Sequence, residues 1–346
     1  MKKRIAINGF GRIGRAFFRL AFGQKEIEIV ALNDLADIKN ISYLLRRDTI
    51  YGTYEKNVEI LEKKEKIGKI EAIGYLIVNN QKIYVFNEKD PKNLPWKDLN
   101  VEIVIESTGV FEDYLKARDH LLAGAKKVII SAPAKGEEGK DGRMVLIGLN
   151  DEEAKEFDII SNGSCTTNAV APVMKVLDEK LKIKKAILNT IHAYTATQSL
   201  VDGFNKNDFL RGRAGALNIV PSSTGAAKSV SKILKNLENK FDGLALRVPT
   251  ICGSIADITF LSGKETNKEE VNEILRKASQ EKRWKSIIGF SEEPLVSSDI
   301  IKTEKPAIVD LTFTRVVDKD LVKVLVWYDN EWGYSWTLLE QILRNC

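Results

Sequence analysis

The chain has 346 residues, and since a domain usually contains roughly 100–200 residues, this length predicts two domains. Its 53 basic and 48 acidic residues leave a formal net charge of +5, too small to predict nucleic acid as the primary partner. No terminal segment has the pattern of a secretion signal, and no uncharged run approaches the roughly 18 residues of a membrane span. We therefore expect a cytoplasmic protein without a membrane partner.

The first half of the chain alternates short apolar strands with amphipathic helices. Strands are predicted at Lys3–Asn8, Glu26–Asn33, Val101–Glu106 and Lys127–Ser131, and helices at Arg12–Phe22 and Tyr114–Ala123. This alternation is typical of an α/β domain with a Rossmann-type, doubly wound parallel sheet. The segment between the second and third of these strands predicts antiparallel ribbons at Gly74–Asn79 and Lys82–Asn87.

The second half has a different pattern, in which long strands outnumber helices. Strands are predicted at Lys185–Ala193, Leu244–Val248, Gly253–Ser262, Ala307–Val316 and Lys323–Tyr328, and helices at Thr224–Leu237, Lys268–Ala278 and Tyr334–Leu343. Such a pattern predicts an α+β domain with a mixed, largely antiparallel sheet. We expect one domain at 1–163, completed by the C-terminal helix at 331–346, and a second domain at 164–330.

A glycine motif lies between the first strand and the first helix. It reads Gly9-Phe10-Gly11-Arg12-Ile13-Gly14, and Asp34 follows at the end of the next strand. This arrangement predicts a dinucleotide site: the glycines allow a tight turn at the pyrophosphate, and the carboxylate binds the ribose hydroxyls and so favours NAD over NADP. Ser131 ends a later strand of the same sheet and is expected beside the cofactor. The alternative is an ordinary glycine turn with an unrelated aspartate.

A cysteine opens a predicted helix in the second half. It lies in Ser164-Cys165-Thr166-Thr167-Asn168, and His192 follows twenty-seven residues later. A helix N-terminus favours the thiolate and an imidazole can move its proton, so the pair indicates covalent catalysis. The alternative for Cys165 is inert core packing, the role expected of Cys252. The three cysteines lack metal-ligand or disulfide spacing, so we expect no metal site and a reducing compartment.

Further motifs follow these in order along the chain. They are His192-Ala193-Tyr194-Thr195, Ser223-Thr224-Gly225-Ala226-Ala227-Lys228, Arg247-Val248-Pro249-Thr250 and Trp327-Tyr328-Asp329-Asn330-Glu331. Together with the glycine and cysteine motifs, they resemble the phosphorylating glyceraldehyde-3-phosphate dehydrogenase family over essentially the whole chain. The resemblance implies NAD-dependent oxidative phosphorylation of D-glyceraldehyde 3-phosphate to 1,3-bisphosphoglycerate, in glycolysis or gluconeogenesis.

The resemblance also implies a role for each matching residue. Cys165 would form a hemithioacetal and then a thioester, with His192 as its proton partner. The substrate phosphate would be bound by Thr195 and Arg247, and the inorganic phosphate by Ser164, Thr166, Arg213, Thr224 and Gly225. Asn330 would bind the nicotinamide carboxamide, and Lys89 would lie near the adenine. A homotetramer is implied, with the loop Thr195–Arg213 against neighbouring cofactor sites.

The chain departs from the family pattern at one pair of residues and at three single residues. Gly203-Phe204 replaces a Leu-Pro pair that many strictly NAD-dependent relatives carry, which leaves the preference for NAD over NADP open. The other three departures are Tyr51, Gly163 and Ala169, the last of which replaces a second cysteine. Two alternatives to the implied function remain: an erythrose-4-phosphate dehydrogenase, and an RNA- or surface-binding role on the same scaffold.

Overall fold

The computed structural model describes residues 2–206 and 208–346, so Met1 and Asn207, which lies in the predicted loop Thr195–Arg213, fall outside the described residues. Contacts between residues divide the chain into two compact units. The N-terminal unit extends to Leu146 and also contains Asn150–Gly163 and Ser335–Cys346. The C-terminal unit comprises Ile147–Leu149 and Ser164–Tyr334.

The N-terminal unit is built from short strands that alternate with helices. Its strands are β1 (Lys3–Asn8), β2 (Ile27–Asn33), β3 (Val58–Leu61), β4 (Glu65–Ile67), β5 (Ile70–Ala72), β6 (Gly74–Val78), β7 (Gln81–Phe86), β8 (Ile103–Glu106), β9 (Lys127–Ile130), β10 (Arg143–Met144) and β11 (Ile159–Ser161). Its helices are α1 (Arg12–Ala21), α2 (Ile38–Arg46), α3 (Tyr114–Ala117) and α4 (Asp119–Leu122). The single helix predicted at Tyr114–Ala123 is thus two short helices, because the Leu121 N–H bonds three residues back, to Arg118.

Nine of these strands form one sheet in the order β10-β11-β9-β8-β1-β2-β7-β6-β3. Every pair from β10 to β7 is parallel, whereas β6 pairs antiparallel with both β7 and β3. The central strands are apolar on both faces, as sheets covered by helices require. The predicted doubly wound parallel sheet is confirmed. The chain reverses its direction of winding at β1 and β8, so their carboxyl ends flank a crevice suited to a ligand.

The C-terminal unit has longer elements. Its strands are β12 (Lys185–Ala193), β13 (Val220–Ser223), β14 (Phe241–Val248), β15 (Ser254–Leu261), β16 (Ile288–Ser291), β17 (Ala307–Val317) and β18 (Leu321–Tyr328). The helices that begin in this unit are α5 (Cys165–Leu181), α6 (Ala226–Ile233), α7 (Lys268–Gln280) and α8 (Trp332–Asn345). The predicted helix at Thr224–Leu237 is shorter than expected, since a turn of 3₁₀-helix replaces its end.

The strands of this unit form a sheet in the order β13-β14-β12-β15-β18-β17-β16. Only β12/β14 and β16/β17 are parallel, so the predicted mixed, largely antiparallel sheet is confirmed. Helix α5 packs against β15, β17 and β18, which brings the start of the helix to the sheet. Throughout residues 2–206 and 208–346, no helix has both the length and the apolar character needed to cross a membrane.

Candidate active site

The turn after β1 uses its three glycines in three different ways. Gly9 has φ +91°, and a Cβ there would lie 2.5 Å from the backbone nitrogen of Thr108. A Cβ on Gly14 would lie 2.2 Å from the carbonyl oxygen of Gly9, so helix and turn touch here. Gly11, by contrast, has no atom within 4 Å of its Cβ position. A tight turn, a close packing contact and open space above the backbone are what a pyrophosphate-binding turn requires.

Asp34 lies against this turn. Its Oδ2 accepts the Phe10 N–H at 2.6 Å and its Oδ1 accepts the Ala36 N–H at 2.9 Å. These bonds hold the carboxylate beside the start of α1, where Gly11 caps the helix without a side-chain bond. Each carboxylate oxygen keeps a further lone pair for a ribose hydroxyl. The residues present therefore fit the adenosine end of a dinucleotide.

Arg12, in the first turn of α1, contacts the side chains of Asp48 and Tyr51. The two side chains form an ion pair, and the guanidinium lies over the Tyr51 ring, 5.5 Å from its centre. Burial by itself would raise the pKa of Asp48. Hydrogen bonds from Arg12 and from the N–H of Tyr51 outweigh this effect, so the pKa of Asp48 lies below its usual value. Tyr51, a departure from the family pattern, thus contacts a predicted cofactor residue.

The remaining predicted cofactor residues of this unit lie near the same sheet edge. Ser131 directly follows β9 and its N–H bonds to the Glu106 carbonyl at 2.9 Å. Ile13 is half-buried in the first turn of α1, and Lys89 is exposed after β7. The structure does not distinguish Lys89 from other exposed lysines, so its adenine contact stays a prediction.

A hydrogen-bonded series of buried polar side chains supports the glycine turn after β1. Glu106 Oε2 accepts the Asn8 amide at 2.6 Å and lies 3.0 Å from His120 Nε2. The Trp96 N–H lies 3.0 Å from His120 Nδ1, so Nδ1 accepts and the Nε2–H donates to Glu106. Glu106 Oε1 also accepts from the backbone N–H of Thr108 at 2.8 Å. His120 is thus a structural residue, and the positioning role of Glu106 was not predicted.

In the C-terminal unit, Cys165 is the first residue of α5. The Ser164 hydroxyl caps the helix by accepting the Thr167 N–H at 3.0 Å. The sulfur of Cys165 lies 3.4 Å from Nε2 of His192, which is on β12. A thiol at a helix start, within hydrogen-bond distance of an imidazole, has the geometry of an activated nucleophile.

The other ring nitrogen of His192 has two competing partners. Nδ1 lies 2.7 Å from the Ala193 carbonyl and 2.6 Å from Nη1 of Arg247. With a proton on Nδ1 the ring donates to Ala193, and Nε2 is free to accept the proton of Cys165. Without that proton Nδ1 accepts from Arg247, and the Nε2–H faces the sulfur. The tautomer with its proton on Nδ1 is the base, and the imidazolium that forms when Nε2 takes up a proton is the acid.

Burial and the charge of Arg247 shift the pKa values of both Cys165 and His192. Burial, and next the positive charge of Arg247, lower the pKa of His192 to about 3. Burial also raises the pKa of the Cys165 thiol, although Arg247 and the hydrogen bonds of Thr166 oppose this. Neither group ionises readily alone, so a thiolate forms most easily when its proton crosses to His192 and leaves two opposite charges side by side.

Tyr328 organises the base of this site. Its hydroxyl lies 2.9 Å from Oγ1 of Thr166 and 2.7 Å from Oγ1 of Thr190, and its ring meets His192 edge-on at 5.9 Å. Burial raises the pKa of this phenol, so it stays neutral. Thr166 is buried, yet its hydroxyl can accept from Tyr328 and still donate to an anion. The sequence motif contains Tyr328, but nothing in its spacing indicated this contact.

Four of the predicted phosphate ligands, Thr195, Thr224, Gly225 and Arg247, lie on or directly beside β12, α6 and β14. Arg247 is on β14, directly opposite His192 on β12 in the parallel register. Thr195 follows the end of β12, and its hydroxyl lies 2.9 Å from that of Thr197. Gly225 caps α6 with no atom near its Cβ position, and Thr224 accepts the Ala226 N–H at 3.2 Å. A helix start with free N–H groups is a suitable anion site.

Two arginines of the loop after β12 differ in their surroundings. Arg213, the predicted ligand, is exposed and forms an ion pair with Asp202 at 2.9 Å. Arg211 donates to the Ser222 hydroxyl at 2.9 Å and pairs with Asp208. The charge of Arg211 also contributes to lowering the pKa of His192, so it lies within electrostatic reach of the catalytic pair. The sequence did not distinguish the two, and the role of Arg213 stays a prediction.

Asn330 lies between β18 and α8, and its side-chain oxygen is fully engaged. Oδ1 accepts the Gly253 N–H at 3.1 Å and the Ser254 hydroxyl at 3.0 Å. Among the described residues, no group of three or more His, Cys, Asp or Glu side chains is arranged to hold a metal ion.

Comparison with known proteins identifies both halves of the chain. Residues 3–114 match the model for the glyceraldehyde 3-phosphate dehydrogenase NAD binding domain, and residues 164–330 match that for the C-terminal domain. The chain is 50% identical to glyceraldehyde-3-phosphate dehydrogenase of Thermotoga maritima over 335 residues, which cover 96% of each chain. It is 44% identical to that of Borreliella burgdorferi, again over 96% of each chain. The protein therefore belongs to the glyceraldehyde-3-phosphate dehydrogenase family.

Proposed function

We propose that the protein catalyses the NAD-dependent, phosphorylating oxidation of D-glyceraldehyde 3-phosphate to 1,3-bisphosphoglycerate. The observation that carries this proposal is the 3.4 Å approach of Cys165 Sγ to His192 Nε2 at the start of α5, with Arg247 beside the imidazole. A nucleophile, a proton acceptor and a cation for an anionic substrate meet in one place. The relatives named above support this chemistry over other uses of an activated thiol.

The chain's own residues account for each covalent step. The Cys165 thiolate attacks the aldehyde carbon to form a hemithioacetal, whose hydroxyl proton passes to His192. Bound NAD supplies the acceptor for the hydrogen that leaves this carbon with its electron pair. An oxygen of inorganic phosphate then attacks the resulting thioester, and the C–S bond breaks to release the acyl phosphate and the Cys165 thiolate. The Cys165 N–H and protonated His192 stabilise the oxyanion that forms in between.

Two anion sites follow from the positions of the cationic and hydroxyl groups. We assign Thr195 and Arg247 to the substrate phosphate, as the resemblance implies. For inorganic phosphate we assign Ser164, Thr166, Thr224 and Gly225, with Arg211 as their cation. Arg211 lies within electrostatic reach of His192 and is the more buried of the two arginines, which supports this choice; each of the two also pairs with a carboxylate. Guanidinium groups suit the task because they bind phosphate with paired N–H donors.

The contact between Arg247 and His192 links substrate binding to base strength. Burial is the main cause of the low pKa of His192, and Arg247 lowers it further because two positive charges 2.6 Å apart repel each other. A phosphate on Arg247 offsets that charge and raises the pKa of the imidazole. His192 therefore becomes a better proton acceptor when the substrate arrives.

The N-terminal unit supplies the dinucleotide site. We assign NAD to the turn Gly9–Gly14 and to Asp34, whose carboxylate would repel the extra phosphate of NADP. The family matches support 1–163, completed by 331–346, as the NAD-binding domain and 164–330 as the catalytic domain. Parallel titrations with NAD and NADP test the preference, and equal affinities would contradict it. The same titrations test whether the NAD preference persists with Gly203-Phe204 in place of the Leu-Pro pair. The phenyl ring of Phe204 is fully exposed.

We propose a homotetramer because one face of the C-terminal sheet is left open. Along β15, Ser254, Ala256, Ile258 and Phe260 are buried, while the alternate residues are only half-buried. On the same sheet, Ile187 and Leu244 are 59% and 46% exposed. Exposed apolar side chains on an open sheet face are typical of an interface between copies of a chain. Sedimentation velocity tests it, and a monomer at micromolar concentration would contradict it.

We infer a cytoplasmic location from the chemistry of the thiol. All three cysteines lie among the described residues and none of them forms a disulfide, and Cys165 is active only as a thiol or thiolate. Relatives include a protein named cytosolic from Craterostigma plantagineum and one named chloroplastic from Chlamydomonas reinhardtii. Imaging of the tagged protein in its own cell checks this assignment.

The direct test of function is NADH formation from glyceraldehyde 3-phosphate, with and without inorganic phosphate. We expect turnover that depends on phosphate and yields an acyl phosphate. Sustained turnover without phosphate, or a higher kcat/KM for erythrose 4-phosphate, would instead identify the hydrolytic relative. RNA binding that falls with salt, in a protein without dehydrogenase activity, would favour the binding role.

A further inference from the structure

A carboxylate is buried at the carboxyl end of β8, beside the crevice of the parallel sheet. Glu106 is 2% exposed, and among residues 2–206 and 208–346 no lysine or arginine lies within ion-pair distance of it. Taking a charge out of water is costly unless other groups compensate for the lost hydration. The hydrogen bonds around Glu106 provide this compensation.

Four donors surround the two oxygens of Glu106. Oε1 accepts the N–H of Thr108 at 2.8 Å and its hydroxyl at 2.5 Å, and the Val110 N–H donates to the oxygen of that hydroxyl. Oε2 accepts the Asn8 amide at 2.6 Å and the Nε2–H of His120 at 3.0 Å. All four groups donate, so neither oxygen has a position left for a proton, and the side chain is an ionised carboxylate.

His120 does not neutralise this charge. The Trp96 N–H donates to Nδ1 of His120 at 3.0 Å, which leaves no position for a second proton on the ring. Trp96 and His120 are both fully buried, so water cannot take the place of this donor. The group formed by Glu106, His120 and Trp96 therefore carries one net negative charge.

Two asparagines extend the series along the same edge of the sheet. Asn8 and Asn33 are the last residues of β1 and β2, and both are buried. The Asn33 amide donates to Oδ1 of Asn8 at 2.7 Å and to the Glu88 carbonyl at 2.9 Å. These bonds tie the ends of β1, β2 and β8 together, so the carboxylate of Glu106 is fixed beside the crevice before a ligand binds.

We propose that Glu106 is a specificity-determining residue whose buried charge favours the oxidised dinucleotide over the reduced one. The inference rests on the proposed function, in which Asp34 binds the adenosine end and the dinucleotide crosses the ends of β1 and β8. The pyridine ring is a cation in NAD and neutral in NADH, whereas the rest of the molecule is the same in both. A fixed negative charge beside the crevice therefore attracts NAD more strongly than NADH.

The ratio of the dissociation constant for NADH to that for NAD isolates this effect. A change in the shape of the crevice alters both constants, whereas a change in charge alters mainly the constant for NAD. Glu106→Gln keeps the volume and removes the charge, so the ratio should fall by about three- to tenfold, the size expected of a partly screened unit charge. Fluorescence titration gives the constant for NADH, and displacement of NADH by NAD gives the other.

A second variant guards against misfolding, because Glu106→Gln places an NH₂ group among donors. In Glu106→Gln/His120→Gln the side chain at position 120 can accept from that NH₂ group, and the ratio should fall by the same factor. Glu106→Asp keeps the charge and should keep the ratio within about twofold of wild type, even if both affinities fall. Asn33→Ala is the matched control, because it breaks the same series without removing a contact of Glu106.

The outcomes separate charge from structure. An unchanged ratio in either folded glutamine variant overturns the proposal, and so does an equal fall in Asn33→Ala. A fall confined to the glutamine variants, whatever their melting temperatures, supports it. A wild-type protein that binds NADH more tightly than NAD overturns it even if no variant folds. Failure of the wild type to bind either form contradicts the proposed function instead.

Discussion

The glycine turn of the N-terminal unit and the cysteine site of the C-terminal unit are built on opposite plans. The turn is shaped by missing side chains: Gly9, Gly11 and Gly14 allow a positive φ, an open surface and a close contact within six residues. The cysteine site is shaped by side chains that are present, since Cys165, His192, Arg247 and Tyr328 come from four separate elements. A backbone site tolerates no added atoms, whereas a side-chain site depends on a few functional groups. The two regions should therefore fail in different ways when they are mutated.

The largest expected effect is on chemistry alone. Cys165→Ser should lower kcat by about 10³-fold or more, because a serine hydroxyl is a far weaker nucleophile at neutral pH. The dissociation constant for NAD should stay within about twofold, since the loss is confined to the reacting group. Stopped-flow turnover and an NAD titration measure the two quantities. Cys252→Ser is the control, because its hydroxyl can replace the thiol that lies 3.3 Å from Asp329; substantial activity in Cys165→Ser would remove Cys165 from its role.

The next largest effects are on folding stability and on NAD affinity, and they distinguish two glycines of the same turn. Gly14→Ala places a carbon 2.2 Å from a backbone oxygen, and we expect it to lower the free energy of unfolding by about 1–3 kcal/mol. Gly11→Ala meets no atom within 4 Å and should change that free energy by less than about 0.5 kcal/mol. It should nevertheless weaken NAD binding, because the methyl group occupies the space above the turn.

Urea unfolding and calorimetric titration measure both variants. Equal stability of the two would show that the turn adjusts to an added carbon. Unchanged NAD affinity in Gly11→Ala would show that the cofactor does not approach the backbone there.

A third effect separates the two loop arginines. Arg211→Gln should raise the KM for inorganic phosphate by about tenfold or more, since it removes a charged hydrogen-bond donor. Arg213→Gln should change this KM by less than about twofold, because its exposed ion pair with Asp202 contributes little. Initial rates at varied phosphate concentration measure both. The reverse order of effects would restore Arg213 as the ligand and exclude Arg211.

The smallest effect is a pH-dependent one at the start of α1. The folded-state pKa of Asp48 is lowered, so its contribution to stability is present above the unfolded pKa of about 3.9 and is lost as pH falls through the folded value. Asp48→Asn should lower the free energy of unfolding by less than about 1 kcal/mol at pH 7. The difference from wild type should close near pH 2, and thermal melts at both pH values check it. A gap that widens in acid would contradict the assignment.

The comparison also explains which parts of each site the sequence could predict. Asp34 and the glycines are recognisable because a strand, a turn and a helix place them by local geometry, within about one βαβ unit. Cys165 is recognisable for the same reason, since its place at a helix start depends only on its neighbours. The buried chain from Asn8 through Glu106 to His120 spans more than a hundred residues and has no spacing that would indicate it.

Only the tertiary structure determines the hydrogen-bond partners, the burial and the pKa values of the reactive groups. The hydroxyl of Tyr328 meets Thr166 across 162 residues of sequence, and Ser254 meets Asn330 across 76. The choice between Arg211 and Arg213 depends on which carboxylate each one meets in a folded loop. The sequence by itself determined the fold class, the family and the reacting pair, because these follow from periodicity, glycine geometry and local motifs. Burial, tautomer and charge balance at His192 came only from the folded chain, because they depend on groups that the β-strands bring together.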